Sequence, residues 1–278
     1  MLRGSTKLFP MLGTPLTRVR APTLFSVYFE HIDADAVMIP MEVVRDFRAL
    51  FQELFKVPNV AGAMITFPYK RYIDLIDEIS PRSEVAQACN VVVKRPDGTI
   101  YGDIFDGEGF ALGLRRAGFT YANARCLVIG CGGAGAAVAA ALVDFGSSYV
   151  GVSDINPKAS EELAERLNRY AAGRAKSDAV SSDPGDFDLV VNATPMGMKE
   201  GDKFSFDIDR LAPTMMVADL VMGQETALLR AAAARGCRTQ PGTRMLFEQL
   251  SPVSQFWGYP PVEFDKVLEI THSLGWNA

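Results

Sequence analysis

The fold of this chain is indicated by "CLVIGCGGAGAAVAAAL", residues Cys126 to Leu142. A short β-rich run, Cys126 to Ile129, leads into the pattern Gly-x-Gly-x-x-Gly and then into an alanine-rich helical stretch. In this setting Gly130 permits a tight turn, Gly132 lets the backbone approach a pyrophosphate, and Gly135 allows the helix to pack closely on the strand. The free N–H groups of the helix N-terminus would then bind the phosphates. The stretch predicts a dinucleotide-binding domain, with a glycine turn made only for packing as the alternative.

An acidic residue stands where the adenosine ribose of such a cofactor is expected. Asp154 ends the next strand, in "VGVSDINP", 24 positions after Gly130, close to the usual spacing of about 20. A carboxylate there accepts hydrogen bonds from ribose hydroxyls and repels the 2′-phosphate of NADP. We therefore predict NAD as the cofactor, with NADP as the alternative because Lys158 is near. In the competing interpretation, Asp154 only caps the helix that begins at Pro157.

Further cofactor contacts are predicted at the ends of two later strands. The stretch "VVNATPMGM", Val190 to Met198, places small polar residues after a central strand, and Val221 follows the next strand. Such residues can line the groove that holds the cofactor. Together with the glycine loop and Asp154, the predicted cofactor-binding residues are Gly130, Gly132, Gly133, Ala134, Gly135, Asp154, Asn192, Thr194, Pro195, Met196 and Val221.

Strand-like and helix-like patterns alternate along the whole chain, which predicts an α/β fold with two lobes. The second lobe, residues 107–245, should be a Rossmann-type doubly wound parallel sheet. The first, a substrate-binding α/β domain, should be discontinuous and comprise residues 1–106 plus 246–278. We also expect a hairpin around "RPDG" and single helices over Arg71–Ile79 and Arg244–Phe256.

Composition and charge exclude several classes of function. The net charge of −5 and the pI near 5.2 argue against a nucleic-acid-binding protein, which usually carries a basic patch. No secretory signal or membrane-spanning segment is recognisable, because charges interrupt the N-terminus and glycines interrupt the longest uncharged run. The cysteines and the two histidines lack pair or metal-ligand spacing. We therefore expect a cytoplasmic protein with free thiols and no metal site.

Two ionisable residues are candidates for proton transfer. Lys70 ends the stretch "GAMITFPYK", and Asp106 lies in "YGDIFDGEGF", where the first lobe meets the second. A lysine with a lowered pKa can take the proton of a hydroxyl, and a carboxylate can orient that lysine. On their own, Lys70 is an ordinary exposed charge and Asp106 a turn residue. Asp103 and Glu108 are the competing acids.

The order of the motifs "GAMITFPYK", "ACNVVV", "GDIFDGEGF", "GCGGAG", "NATPMGM" and "GTRMLFEQ" resembles the shikimate dehydrogenase family over nearly the whole chain. The family's lysine motif, G-x-N-V-T-x-P-x-K, is matched by Gly62, Thr66, Pro68 and Lys70. Its aspartate motif, G-x-N-T-D-x-x-G-F, is matched by Gly102, Asp106, Gly109 and Phe110. The resemblance implies that Lys70 and Asp106 are the catalytic pair. It also implies that Thr66, Asn90 and Gln249 contact the substrate, and that Gly242 and Met245 lie near the nicotinamide.

Several positions depart from the family's motifs. The two serines that hold the substrate carboxylate in the family are replaced by Val19 and Ala21. Unpaired polar groups cost about 1–3 kcal/mol each, so Arg18 or Arg20 would have to bind that carboxylate. Four other polar positions of the family are apolar here, namely Met64, Ile104, Phe105 and Met222. These changes predict either an arginine-bound carboxylate or a more apolar ring substrate.

The resemblance implies an NAD(P)-dependent oxidoreductase that transfers hydride between the nicotinamide and a ring hydroxyl of a small cyclic hydroxy acid. Shikimate, quinate or a cyclic relative is the expected substrate, and a monomer or homodimer the expected state. Two alternatives are a protein of the methylene-tetrahydrofolate dehydrogenase type and a non-catalytic NAD-binding regulatory protein. Retention of both Lys70 and Asp106 favours the enzyme.

Overall fold

The computed structural model describes residues 2–17, 19–197, 201–222 and 225–276, so Arg18 lies outside the described residues. The chain divides into two compact units. The first comprises Met1–Phe105 and Gln249–Ala278, and the second comprises Asp106–Glu248.

The first unit is built around a mixed sheet of six strands. Its elements before residue 106 are β1 (Lys7–Gly13), α1 (Ala21–His31), β2 (Ala36–Glu42), α2 (Phe47–Leu54), β3 (Gly62–Ile65), β4 (Glu78–Ile79), α3 (Pro81–Ala86), β5 (Val91–Lys94) and β6 (Ile100–Asp103). The strand order is β2-β1-β3-β5-β6-β4. The expected hairpin around "RPDG" is confirmed, because β5 and β6 pair antiparallel with Lys94 opposite Ile100.

The second unit is a parallel sheet with helices along the chain between its strands. Its elements are α4 (Asp106–Arg116), β7 (Arg125–Ile129), α5 (Gly133–Asp144), β8 (Tyr149–Ser153), α6 (Pro157–Ala171), β9 (Lys176–Ala179), β10 (Leu189–Asn192), β11 (Met216–Asp219), α7 (Ala227–Ala234), β12 (Arg238–Gln240) and α8 (Thr243–Glu248). The order β12-β11-β10-β7-β8-β9 is the 3-2-1-4-5-6 arrangement of dinucleotide-binding domains. The predicted α/β fold class is confirmed.

The strand order defines where this unit can bind a ligand. The chain reverses its direction of winding between β7 and β10, which pair in parallel from Leu189–Cys126 to Asn192–Ile129. In open parallel sheets a crevice forms at this switch point, outside the carboxyl ends of the strands. The glycine-rich loop follows β7 directly and therefore lies at that crevice.

Two predicted helices differ in the structure. In place of a helix over Arg71–Ile79 the chain forms two 3₁₀ turns, Tyr69–Arg71 and Ile73–Leu75, followed by β4. The three-residue spacing of Ile73 and Ile76 also matches a 3₁₀ repeat.

The predicted helix Arg244–Phe256 is two consecutive helices, α8 and α9 (Leu250–Phe256), separated by Gln249. Pro252 has no N–H to donate to the carbonyl of Glu248, which removes one of the hydrogen bonds that would join them. The last helix is α10 (Phe264–Ser273). None of the helices within the described part of the chain is long and apolar enough to cross a membrane.

Candidate active site

The glycine-rich loop is closed on its inner side and open on its outer side. Gly130 has a φ of +105°, in the left-handed region that favours glycine. A Cβ on Gly135 would lie 1.9 Å from the carbonyl oxygen of Gly130, whereas a Cβ on Gly132 would meet no atom within 4 Å. Gly132 precedes α5 and makes no side-chain cap. The loop therefore leaves room for a pyrophosphate beside the N-terminus of a twelve-residue helix.

Asp154 is bound to this loop. One carboxylate oxygen accepts a hydrogen bond from the N–H of Cys131 at 2.7 Å, and the other accepts one from the N–H of Asn156 at 2.9 Å. Asn156 caps α6, with its side chain accepting from the N–H of Lys158. The interpretation of Asp154 as the helix cap is therefore wrong. Each carboxylate oxygen has a second lone pair, which leaves acceptor capacity for the ribose hydroxyls.

Cys131 in the same loop has a free, partly buried thiol. Burial, with the nearby charge of Asp154 as the second cause, raises the pKa of Cys131 to about 12. Because the thiolate is the nucleophile, a raised pKa lowers the fraction of Cys131 that is in the reactive form.

The carboxyl ends of β10 and β11 are joined by a buried polar network. Asn192 lies opposite Asp219 in the strand register, and both side chains are fully buried. The Asn192 amide donates to an Asp219 oxygen at 2.9 Å and to the carbonyl of Met196 at 3.0 Å. Its oxygen accepts from the N–H and the hydroxyl of Thr194.

All four hydrogen-bonding positions of the Asn192 amide are therefore used within the protein. The Asn192 side chain thereby shapes the loop Thr194–Met196, and its predicted contact with the cofactor stays a prediction. Asp219 also accepts from the N–H of Val221 at 3.0 Å and the hydroxyl of Thr226 at 2.7 Å. Burial raises the pKa of the Asp219 carboxyl.

The remaining predicted cofactor residues follow parallel strands and so lie at the same edge of the sheet. Thr194, Pro195 and Met196 follow β10, Val221 follows β11, and Gly242 and Met245 follow β12. Met196 and Met222 are large apolar side chains left 38% and 49% exposed at this edge. Together with Gly130, Gly132, Gly133, Ala134, Gly135 and Asp154, these residues suit a dinucleotide with one flat apolar ring at this end.

Lys70 lies on a rigid turn of the first unit. The turn Tyr69–Arg71 follows β3, and the carbonyl of Lys70 accepts from the N–H of Cys89 at 2.8 Å. The neighbouring Tyr69 is buried, stacks on Phe47 with ring centroids 4.2 Å apart, and donates to the carbonyl of Val43 at 2.8 Å. The main chain that carries the lysine is therefore held on both sides.

Three predicted substrate residues lie at the same end of this sheet. Thr66 follows β3, and Asn90 precedes the antiparallel strand β5, with its carbonyl accepting from the N–H of Ile65 at 2.7 Å. The amide of Asn90 donates to the side-chain oxygen of Gln249 at 3.3 Å. The structure thus gathers Thr66, Lys70, Asn90 and Gln249 at one end of the sheet.

Asp106 is the first residue of α4 and is buried, with 4% of its surface exposed. The next residue explains how α4 is placed in the second unit. A Cβ on Gly107 would lie 2.0 Å from the carbonyl oxygen of Ala137 on α5, so only glycine allows the two helices to pack this closely. The signal in the sequence was the Gly-x-Gly after Asp106, and its packing role was missed.

The structure shows where the residues that depart from the family motifs lie. The Arg20 guanidinium lies over the Trp276 ring at 5.1 Å. Its predicted contact with a substrate carboxylate stays a prediction. Met64, Ile104 and Phe105 are 4% or less exposed and pack inside the protein. Among the described residues, no group of three His, Cys, Asp or Glu side chains could hold a metal ion.

Comparison with known proteins agrees with this geometry. Residues 11–92 match the family model described as "Shikimate dehydrogenase substrate binding domain". A shikimate dehydrogenase (NADP(+)) of Acidiphilium cryptum is 35% identical over 270 residues, covering 95% of each chain.

Two solved structures are also similar along nearly their whole length. Shikimate 5-dehydrogenase from Listeria monocytogenes, in complex with shikimate and NAD, has a TM-score of 0.87 at 26% identity and covers 97% of both chains. Quinate dehydrogenase from Corynebacterium glutamicum, in complex with NAD, has a TM-score of 0.85 at 30% identity, covering 96% of this chain and 99% of that one.

The glycine loop, the strand order and these matches define an NAD(P)-dependent oxidoreductase acting on CH–OH groups. The chain belongs to the shikimate dehydrogenase family. The resemblance found in the sequence is confirmed.

Proposed function

We propose that this protein transfers hydride reversibly between the nicotinamide of NAD and a ring hydroxyl of a cyclic hydroxy acid of the shikimate and quinate class. The unit that contains Lys70 serves as the substrate-binding domain, and the unit that contains the glycine loop serves as the dinucleotide-binding domain. A cytoplasmic location and a monomeric or homodimeric state are part of the same proposal.

The observation that carries the proposal is the position of Lys70 at the same end of the sheet as three polar residues. A primary amine on a rigid turn lies at the same end of the sheet as the hydroxyl of Thr66 and the amides of Asn90 and Gln249. Amides and hydroxyls can bind several hydroxyls of a polyhydroxylated ring, and the amine can exchange a proton with one of them.

Each residue then has a defined role. Lys70 takes the hydroxyl proton during oxidation and returns it during reduction, and Asp106 orients the lysine by a charge-assisted hydrogen bond. NAD, when bound, supplies the hydride acceptor. The glycine loop and the N-terminus of α5 bind its pyrophosphate, and Asp154 binds its ribose.

NAD is preferred over NADP because of the charge at residue 154. The Acidiphilium cryptum relative is named for NADP(+), whereas the Listeria and Corynebacterium structures contain NAD. In this chain a carboxylate held at the end of β8 would repel a 2′-phosphate, and the next residue is the fully exposed Ile155 in place of a cation.

Quinate is a second candidate substrate, because quinate dehydrogenase from Corynebacterium glutamicum is 30% identical. In either case the carboxylate needs a partner that Val19 and Ala21 cannot supply, and Arg18 or Arg20 is the candidate. Arg20 would have to leave the Trp276 ring to take this role.

A substrate screen tests the proposal. Shikimate, quinate and other cyclic alcohols are each offered with NAD and with NADP, and reduction of the cofactor is followed by its absorbance. Turnover with at least one cyclic hydroxy acid, faster with NAD, is expected. Tight NAD binding without turnover of any of them would favour the regulatory protein instead.

A further inference from the structure

We propose that Arg82 is a positioning residue, which holds the segment Asp103–Phe105 and thereby sets the direction in which the chain enters Asp106. The proposal rests on the proposed function for its kinetic consequence. Its structural part concerns only contacts within the first unit.

The guanidinium of Arg82 binds the Asp103 carboxylate with two parallel hydrogen bonds. Nε donates to Oδ1 and Nη2 donates to Oδ2, both at 2.7 Å. The Asp103 side chain is 10% exposed and that of Arg82 is 22% exposed. A two-point, largely buried contact of this type fixes orientation as well as distance.

The same carboxylate holds the main chain that follows it. Oδ1 of Asp103 also accepts from the hydroxyl of Ser80 and from the N–H of Ile104, the latter at 2.7 Å. One residue further on, the N–H of Phe105 donates to the side-chain oxygen of Asn90 at 2.8 Å. The amide groups of both residues that precede Asp106 are thus bound to fixed side chains.

Arg82 also holds the side chain of Phe105. Its guanidinium lies over the Phe105 ring at 4.6 Å, and Phe256 packs edge-on against the same ring with centroids 5.2 Å apart. One arginine therefore fixes Asp103 by hydrogen bonds and Phe105 by stacking on its ring.

A short segment connects this arrangement to Lys70. The N–H of Cys89 donates to the carbonyl of Lys70 at 2.8 Å, while its thiol donates to the carbonyl of Asp103 at 3.1 Å. The N–H of Asn90 donates to the same carbonyl at 3.1 Å. Movement of Asp103 would therefore disturb the main chain before Asp106 and the segment that holds Lys70.

The chain provides a matched control in the same sheet. Arg95 pairs with Glu78 at 2.6 Å and lies over the Tyr101 ring at 4.5 Å. It thus makes the same two kinds of contact as Arg82, but its ion-pair partner is Glu78 in β4 and its ring partner is Tyr101, two residues before Asp103 in β6.

The test compares Arg82→Ala, Arg82→Lys and Arg95→Ala with the natural protein. Turnover is measured with shikimate and quinate and with NAD, and amide hydrogen exchange is measured in peptides that cover residues 104–112. For Arg82→Ala we expect kcat to fall about 10–100-fold, the range of a misplaced catalytic group, while KM for NAD changes less than about twofold. Exchange at Ile104 and Phe105 should accelerate at least about tenfold.

The other variants separate positioning from general destabilisation. Arg82→Lys keeps the charge but not the two-point contact. We therefore expect its kcat and its exchange rates to lie between those of the natural protein and those of Arg82→Ala. Arg95→Ala should leave both kcat and exchange of this segment unchanged. If Arg82→Ala does not fold, Arg82→Lys and Asp103→Asn are compared with Arg95→Ala and the natural protein in the same way.

Two results would overturn the proposal: unchanged exchange at Ile104 and Phe105, or an equal fall in kcat in the Arg82 and Arg95 variants. If the natural protein turns over neither substrate, the proposed function fails. The exchange measurement then still decides whether Arg82 holds the segment.

Discussion

Asp154 accepts a hydrogen bond of 2.7 Å from the N–H of Cys131, the second residue of the glycine-rich loop. The acid that we propose binds the cofactor's ribose is therefore joined directly to the loop that we propose binds its phosphates. A change at residue 154 can alter loop geometry as well as charge, and a useful variant must separate the two effects.

Asp154→Asn removes the negative charge and keeps one oxygen that can accept from the N–H of Cys131, although the acceptor for the N–H of Asn156 is lost. We expect the ratio of kcat/KM for NADP to that for NAD to rise about tenfold, since repulsion of the 2′-phosphate is removed. Adding Ile155→Arg should raise the ratio further. Asp178→Asn, on the adjacent strand β9, is the control, and an unchanged ratio in the Asp154 variants would contradict the role assigned to the carboxylate.

Lys70→Ala should lower kcat by about 10²–10⁴-fold, the usual contribution of a general acid–base group. Affinity for NAD, measured by fluorescence titration, should stay the same, because the predicted phosphate and ribose contacts lie in the other unit. Lys70→Arg should be nearly as slow, since arginine does not release its proton at ordinary pH. Arg71→Ala, at the adjacent exposed residue, is expected to be fully active, and normal turnover in Lys70→Ala would refute the assignment.

Two glycines of the same loop should respond differently to alanine. At Gly135 the new methyl would lie 1.9 Å from the carbonyl oxygen of Gly130, so Gly135→Ala should destabilise the protein by about 1–3 kcal/mol or more. At Gly132 the methyl enters open space, so Gly132→Ala should keep the natural Tm and weaken NAD binding at least about tenfold. Calorimetry and NAD titration of both variants check this contrast, and a lowered Tm in Gly132→Ala would show that the space is not open.

Asp219 should make stability depend on pH. Burial raises the pKa of its carboxyl above the ordinary 3.8, so the folded protein binds this proton more tightly than the unfolded chain does. The stabilisation from this proton is present below the ordinary pKa and is lost as pH rises through the raised pKa. In Asp219→Asn that loss is absent, so the stability of the natural protein relative to the variant should fall as pH rises above the ordinary pKa of 3.8.

Urea unfolding of the two proteins at a series of pH values measures that difference. Asp207→Asn, which changes an exposed carboxylate in the same unit, is the control. A difference between the natural protein and Asp219→Asn that does not vary with pH would show that this carboxyl titrates alike in the folded and unfolded chain.

Local sequence was sufficient for the elements whose signals are themselves local. Asp154 directly follows the strand Tyr149–Ser153, and the next helix begins at Pro157 as predicted, because β-branched residues and an N-terminal proline act over a few residues. The glycine pattern after Ile129 has the same character at Gly135, where a side chain would collide with the carbonyl oxygen of Gly130 in the same loop. The fold class and the family could therefore be read from the chain alone.

Longer-range contacts decided what the sequence could not. Periodicity at Ile73 and Ile76 did not distinguish an α-helix from 3₁₀ turns, because both repeats place such residues on one face. Asn192 is a small polar residue at the end of a strand, the type expected to line the cofactor groove. Its partner Asp219 comes 27 residues later, and the hydrogen bond between the two side chains forms only because β10 pairs with β11.

The sequence by itself determined the doubly wound nucleotide-binding fold, the family and the identity of Lys70 and Asp106 as candidates. Each of these depends on residue type and spacing along the chain. Only the tertiary structure decided that Asn192 shapes a loop, that Gly107 allows α4 to pack on α5, and that Arg82 holds Asp103 and Phe105. The physical reason is that a buried polar group or a close helix contact is defined by its partner, and those partners are brought together only by folding.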